Sequence, residues 1–177
     1  IVPSFISTML GASNKGFSSS GMASDSSSST RGSVSEGIAF GALLDYDFEK
    51  EIAILYVKFR AMLGFDLSLI KSNNICANIK DDNDDPIVQG ADGWYGKGKV
   101  YAGFKGDMGL KIDLWFWSGK ISLVTLKAAM LIEGGTPNPT FVNGTASIGY
   151  SVMGGIVKVR TNFNLSVGTQ CDEVRID

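Results

Sequence analysis

The chain has no histidine and only two cysteines among its 177 residues. Histidine is the commonest general base and the commonest metal ligand in proteins, so its absence argues against an enzyme. The two cysteines, Cys76 and Cys171, form no Cys-x-x-Cys or Cys/His spacing, and zinc is therefore not indicated. We predict a protein without catalytic residues.

Strong charge and long apolar runs are also missing. The formal net charge is −2, which gives no electrostatic reason to expect a nucleic-acid partner. No apolar run reaches the ~18 residues of a transmembrane helix. The chain begins Ile1-Val2-Pro3 without Met and shows no signal peptide, so we interpret it as a processed product or an ordered fragment of a larger protein.

The cysteines leave two alternatives open. Cys76 and Cys171 are two separate buried thiols, or they form one disulfide that closes a long loop in an exported protein. In the chain-entropy model such a disulfide stabilises the fold by ~4–5 kcal/mol.

What the chain does contain is alternation. From Lys97 to Phe116 the even positions are apolar or glycine, and many odd positions carry Lys or Asp. A period of two over this length predicts one amphipathic β-strand about three times longer than the usual ~5–6 residues. Such a strand belongs to a large sheet more often than to a compact enzyme.

Five further segments alternate in the same way. Two strands are predicted on either side of a turn at Lys50-Glu51, and a turn at Ser118-Gly119 ends the longest strand. The phase of the next strand slips, which predicts a β-bulge near Val124-Thr125. Gly154-Gly155 predicts the last hairpin turn. Six strands joined mainly by tight turns predict an all-β, long-stranded antiparallel meander.

The apolar face of this sheet can be buried in three ways. It packs in a sandwich, it forms part of a barrel, including an outer-membrane barrel, or it packs against other chains or the remainder of a larger polypeptide. The domain prediction is an N-terminal segment with a Ser/Gly-rich linker over residues 1–36, and an antiparallel β domain over residues 37–177.

Two clusters are candidate sites. Four carboxylates in one loop, Asp81, Asp82, Asp84 and Asp85, supply oxygen ligands of the kind that calcium requires, although the loop does not match an EF-hand. The aromatic residues Trp94, Tyr95, Trp115 and Trp117 stand near the two ends of the longest strand. They are expected to serve in core or inter-subunit packing, as a sugar-binding interaction platform, or as interfacial girdles.

Two segments carry a family resemblance. The run from Asp92 to Ala102, DGWYGKGKVYA, is similar to the pattern NGWYA-x-GQVYA. The residues from Pro137 to Lys158 resemble LPNP…G…Y-x-VLGGLVKG, and Cys171 falls where that pattern has a closing cysteine. Both patterns occur in very large, poorly characterised exported proteins of the Bacteroidota, and the similarity covers roughly residues 76–171.

The chain departs from these patterns at several positions. Asp92, Gly96, Thr136 and Val159 replace Asn, Ala, Leu and Gly, and a cysteine expected near Thr161 is absent. This last difference weakens the transfer of any conserved disulfide pairing. The resemblance implies no catalytic residues, and it implies an exported or surface-associated structural role.

The sequence therefore favours a non-catalytic structural or interaction segment of a large exported or cell-surface assembly, which acts through packing of its sheet. Its partners would be other protein chains or the remainder of a larger polypeptide. The alternatives are a sheet that binds lipid or another hydrophobic ligand, and a fragment of an outer-membrane β-barrel. Association with a membrane is left open, and no cofactor other than calcium is predicted.

Overall fold

A computed structural model describes residues 2–10, 37–71 and 74–171. One sheet of six antiparallel strands dominates it, and a two-stranded sheet and a short helix accompany it. The elements are, in chain order, α1 (Ser4–Leu10), β1 (Gly37–Ile52), β2 (Leu55–Lys71), β3 (Ile75–Lys80), β4 (Pro86–Val88), β5 (Trp94–Leu114), β6 (Trp117–Thr136), β7 (Phe141–Val152), a 3₁₀ turn (Met153–Gly155) and β8 (Val157–Gly168).

The predicted antiparallel meander is confirmed. The strands of the large sheet lie in the order β1-β2-β5-β6-β7-β8, so each strand pairs with the next one that belongs to this sheet. The longest strand, β5, has 21 residues, and it pairs with β2 on one side and β6 on the other. Because side chains of a strand alternate between the two faces, this register keeps all the apolar rows on one face.

Two turns were predicted at the wrong residues. The first hairpin turns at Ala53 and Ile54, while Lys50 and Glu51 remain paired with β2. The hairpin after β5 turns at Trp115 and Phe116, so that Leu114 pairs with Trp117. In both cases the strands continue past the predicted turn: Glu51 pairs with Lys111 and Lys120 across the sheet, and Ser118 and Gly119 remain in the ladder with β5.

The last turn is longer than predicted. Val152 pairs with Val157, and four residues separate them. Met153, Gly154 and Gly155 all have positive φ, at 54°, 66° and 99°. The two glycines adopt this backbone without a steric penalty, which explains why the Gly-Gly pair lies in this turn.

The phase slip in β6 is a β-bulge, as predicted, but it lies at Leu123. Met108 pairs with Val124 and Gly109 pairs with Ser122, so Leu123 is the extra residue. An extra residue reverses the alternation from that point on. The apolar side chains before and after the bulge therefore stay on the same face of the sheet.

Two elements were not predicted. The region between β2 and β5 contains the paired strands β3 and β4, which the alternation does not predict. The helix α1 lies on the large sheet against β5, β6 and β7. The first segment of the chain thus packs on the β domain. The Ser/Gly-rich segment predicted as a linker, Ser13 to Glu36, lies outside the described part of the chain.

The described part of the chain contains no helix that is long and apolar enough to cross a membrane.

Candidate functional site: an open apolar face

One face of the large sheet is apolar across all six strands, and we call it the open apolar face. The register aligns its rows: Phe40 pairs with Leu67, Leu63 with Ala102, and Ile132 with Gly144. Its residues are Ile38, Phe40, Ala42, Leu44, Tyr46 and Phe48 of β1; Leu55, Val57, Phe59, Ala61, Leu63, Phe65, Leu67 and Leu69 of β2; Gly98, Val100, Ala102, Phe104, Gly106, Met108 and Leu110 of β5; Ile121, Val124, Leu126, Ala128, Met130 and Ile132 of β6; Val142, Gly144, Ala146, Ile148, Tyr150 and Val152 of β7; and Val157, Val159, Thr161, Phe163, Leu165 and Val167 of β8.

The face is exposed to solvent in the isolated chain. Leu44 is 67% exposed. Leu63, Leu165 and Ile148 are 52%, 60% and 48% exposed. No second layer within the described residues covers this face. Treated as a flat rectangle, the open apolar face measures about 24 Å across the strands and about 33 Å along them, from the usual strand spacing and rise per residue. Its area is then about 800 Å². The largest apolar patch of a typical monomer is only about 300–600 Å².

The open apolar face carries no acidic, basic or amide side chain. Its polar atoms are the hydroxyl groups of Tyr46, Tyr150 and Thr161. Lys50 and Lys71 share its side of the sheet, but they lie at the outer ends of β1 and β2. A surface with this composition offers almost nothing for hydrogen bonding, so an apolar layer is the partner it fits.

Aromatic pairs within the face give it a defined shape. Phe59 contacts Phe104 edge to face, with 4.8 Å between the ring centroids. Tyr46 lies 6.3 Å from the same Phe59, and Phe40 lies 6.3 Å from Phe65, again with their rings at steep angles. Such edge-to-face pairs between neighbouring strands add to the stability of a sheet.

The opposite face carries α1, and we call it the helix face. Ile6 and Leu10 of α1 are buried in a small core. Gly103 makes the close approach of the helix possible, because a Cβ at this position would overlap Ile6 Cδ1. The buried residues of this core are Ile6, Leu10, Met62, Tyr101, Ala129 and Leu131.

Arginine side chains from two strands contact α1. Arg60 of β2 places its guanidinium 5.0 Å from the centre of the Phe5 ring and also pairs with Asp45 of β1 at 2.7 Å. Arg160 of β8 donates a hydrogen bond to the carbonyl oxygen of Met9 at 2.6 Å. A helix of seven residues therefore contacts side chains from both β2 and β8.

An ion-pair network lies at the turn end of β1 on the helix face. Lys120 of β6 pairs with Glu51 at 2.6 Å and with Glu49 at 2.9 Å, and Lys111 of β5 also pairs with Glu51. Hydrogen bonds to Glu51 and Glu49 raise the pKa of Lys120, and the hydrogen bond from Lys120 is the main cause that lowers the pKa of Glu51. Since β2 and β5 separate β1 from β6, these contacts join side chains across two intervening strands.

Asp107 is the centre of a second polar cluster on the helix face. Its carboxylate accepts hydrogen bonds from the hydroxyl groups of Tyr56 at 3.0 Å, Thr125 at 2.8 Å and Ser122. Burial raises the pKa of Asp107, but these hydrogen bonds outweigh it, and the net shift is downward. The bulge at Leu123 brings both Ser122 and Thr125 to this carboxylate. The three hydroxyl groups thus supply hydrogen bonds to both carboxylate oxygens of Asp107.

The acidic loop is a self-contained turn. Asp81 Oδ1 accepts hydrogen bonds from the backbone N–H groups of Asn83 and Asp85, and Lys80 pairs with Asp84 at 2.8 Å. The backbone hydrogen bond from Asp85 is the main cause that lowers the pKa of Asp81. Within the described ranges, no three acidic or cysteine side chains come together as a metal site. Calcium at Asp81, Asp82, Asp84 and Asp85 stays a prediction.

The four aromatic candidates lie in different environments. Tyr95 is fully buried, and its hydroxyl donates to the carbonyl oxygen of Pro139 at 3.0 Å. Trp94 is half-buried, and the Lys71 ammonium lies 5.8 Å from its ring centre. Trp115 and Trp117 are exposed at the β5-β6 turn, with Trp115 95% exposed. Of the four, only these two are both highly exposed and close together.

Cys76 and Cys171, which are 95 positions apart in the sequence, form a disulfide in the structure. Cys76 belongs to β3, and Cys171 follows the end of β8. The Asn78 side chain also donates to the carbonyl oxygen of Gln170 at 2.7 Å. The small sheet is thus fastened to the last strand of the meander. The sequence left open separate thiols or a disulfide, and the structure contains the disulfide.

Comparison with protein families, with curated proteins and with solved structures finds no match for this chain. Its function is therefore argued from the two faces and the edges of the sheet alone.

Proposed function

We propose that this chain is a non-catalytic structural unit of an exported assembly, and that it works by packing its open apolar face against another apolar layer. The layer belongs to another protein chain or to the remainder of a longer polypeptide. The observation that carries the proposal is the extent of the open apolar face. Its area is about the ~800 Å² per partner of a standard protein–protein interface.

Energetics support a covered face. Burial of apolar surface stabilises an association by about 25 cal/mol per Å², so 800 Å² corresponds to a gross gain of about 20 kcal/mol before the costs of association. Exposed side chains such as Leu44 and Leu165 gain most, because they have the most surface left to bury. The same surface in water promotes aggregation.

The disulfide supports export. Cys76 and Cys171 form a disulfide. Disulfides form and persist in oxidising compartments, such as the periplasm or the cell exterior. The helix face supports a non-catalytic role, because Lys120 pairs with two glutamates there and Asp107 accepts hydrogen bonds from three hydroxyl groups. Both observations agree with a structural unit that functions outside the cytoplasm.

The test compares two neighbouring residues on opposite faces of β8. Leu165→Lys places a charge on the open apolar face, while Asn164→Lys places the same charge on the helix face. We expect Leu165→Lys to release the chain from the native assembly in co-sedimentation, and Asn164→Lys to leave it associated. Equal retention of both variants would contradict the proposal.

A second candidate is contact with lipid hydrocarbon. It is favoured by one specific observation, which is that the open apolar face lacks charged and amide side chains over six strands. Protein interfaces usually carry about ten direct hydrogen bonds, and this face has few groups to make them. Flotation with phosphatidylcholine vesicles separates the candidates: lipid contact predicts that the wild-type chain floats and that Leu165→Lys does not.

A further inference from the structure

The two edges of the large sheet are unlike each other. Among the described residues, β1 and β8 each pair with a neighbour on one side only, so each presents one row of unpaired backbone groups. On the helix face the β1 edge is acidic, with Asp45, Asp47 and Glu49. On the same face the β8 edge is basic, with Lys158 and Arg160.

The acidic and basic edge residues lie at the same height in the sheet. The ladder can be followed from β1 to β8 through directly paired residues. One rung is Glu49, Lys58, Asp107, Thr125, Ser151 and Lys158. The next rung on this face is Asp47, Arg60, Lys105, Lys127, Gly149 and Arg160.

We propose that β8 of one copy of this chain pairs with β1 of a second copy, as the next antiparallel strand of a continuous sheet. Because β1 and β8 are the first and sixth strands of an antiparallel meander, they run in opposite directions. The strand β1 of a second copy in the same orientation is therefore antiparallel to β8. Its open apolar face then continues that of the first copy.

When the two copies lie at the same height, opposite charges of the two edges lie side by side. Lys158 of one copy lies beside Glu49 of the other, and Arg160 lies beside Asp47. On the open apolar face, Thr161 lies beside Tyr46 and Leu165 beside Ala42. Directly opposite side chains of unlike charge stabilise an antiparallel pair. A register shift of two residues keeps each face intact and still sets basic residues against acidic ones.

The charges also select against the wrong pairings. Two β1 edges together would bring acidic residues of both copies onto one face, and two β8 edges would do the same with basic residues. Lys158 has no ion-pair partner among the residues that the structure describes. Asp47 attracts Arg60 on the neighbouring strand only electrostatically, because the ion pair and hydrogen bonds of Arg60 go to Asp45. Both residues can therefore pair with a neighbouring copy. Arg160 is already held by Ser147 and by the carbonyl oxygen of Met9, which fixes its side chain near the edge.

Cysteine pairs test this proposal in mild detergent, which covers the open apolar face and leaves the backbone edges free. Tyr46→Cys and Thr161→Cys are made in separate chains, one of them isotopically labelled, and are mixed under oxidising conditions. Tyr46→Cys mixed with Leu165→Cys is the matched control, since Leu165 lies four residues away along β8. Peptide mass spectrometry identifies the linked pair and verifies that Cys76 remains joined to Cys171.

We expect a labelled–unlabelled dimer linked through positions 46 and 161, and no such dimer in the control mixture. Lys158→Glu should lower the dimer yield severalfold, while Lys127→Glu, on the same face but on the central strand β6, should leave it unchanged. The absence of the 46–161 link or equal linking in the control would overturn the proposal. A double variant, Tyr46→Cys/Thr161→Cys, tests the same point in one chain, and a link formed within that chain would also overturn it. Because detergent replaces the partner of the open apolar face, failure here does not depend on the proposed function.

Discussion

Lys120 and Glu51 meet at 2.6 Å although their strands, β6 and β1, are separated by two others. Neighbouring strands lie about 4.7–4.9 Å apart, so three spacings in a flat sheet put β6 and β1 about 14 Å apart. The two side chains therefore span β2 and β5 on the helix face, the face on which α1 also lies. The open apolar face is on the other side of the sheet.

This network predicts a stability that depends on pH. The pKa values of Glu49 and Glu51 are lowered in the folded chain, mainly by side-chain hydrogen bonds from Lys58 and Lys120 respectively. A lowered folded pKa stabilises the folded state above the ordinary glutamate value of 4.5, and this contribution is lost as the pH falls through the folded value.

Replacement of both acids by Gln should remove part of this dependence. Urea unfolding midpoints of Glu49→Gln/Glu51→Gln and of the wild type should converge in acid and separate near neutrality. Asp82→Asn in the acidic loop, outside the network, serves as the control. A constant gap between the double variant and the wild type at all pH values would contradict the assignment.

The helix α1 should contribute measurably to the stability of the sheet. Ile6 is fully buried against β5 and its neighbours, and Ile→Ala substitutions in cores usually cost 2–5 kcal/mol. Because this core is small, we expect Ile6→Ala to lower the free energy of unfolding by about 2–3 kcal/mol. Ser7→Ala, at the exposed next position, should change it little. Equal midpoints for both variants in chemical denaturation would mean that α1 does not pack on the sheet.

Asp107 should be required for the geometry of the bulge in β6. In Asp107→Asn an amide replaces the carboxylate, so one of the two oxygens that accept hydrogen bonds from Tyr56, Ser122 and Thr125 is lost. We expect a loss of about 1–2 kcal/mol, typical of an unsatisfied, partly buried hydrogen-bonding group. Asp113→Asn on the same strand, with its side chain 62% exposed, should be nearly neutral. A larger effect at Asp113 than at Asp107 in thermal unfolding would contradict this account.

The disulfide should contribute through the length of the loop it closes. For a sequence separation of 95 between Cys76 and Cys171, the chain-entropy model gives ~4–5 kcal/mol. We expect Cys76→Ser/Cys171→Ser to show a lower denaturant midpoint, and reductant to lower the midpoint of the wild type alone. An unchanged midpoint in the double variant would show that the small sheet and β8 are held together by other contacts.

The sequence predicted most of this fold because alternation is a strong local signal. Six strands, their meander order and the bulge near Leu123 all follow from which positions are apolar. The turns at Ala53-Ile54 and Trp115-Phe116 were missed because both contain apolar residues where polar ones are usual. The helix α1 has only seven residues, and its amphipathic pattern is too short to identify alone.

The site was predicted less completely. Alternation indicated an apolar face, but its exposure depends on whether a second layer exists, which is a tertiary property. The clusters around Lys120 and Asp107 join residues 51 or more positions apart, or residues on both sides of a bulge, so spacing in the sequence does not show them. The acidity of β1 and the basicity of β8 were visible, but only the pairing register shows that they lie at the same height.

Labelling of the open apolar face in native material tests the central claim most directly. A cysteine is placed at Leu44, which is 67% exposed in the isolated chain, and a second variant carries one at Asp113 as an exposed control on the helix face. A small polar maleimide is then added to the native assembly and to the isolated chain in parallel. We predict that Leu44→Cys reacts far more slowly in the native assembly than in the isolated chain, while Asp113→Cys keeps its rate. An equal rate for Leu44→Cys in both samples would show that the face stays open to water, and it would contradict the account.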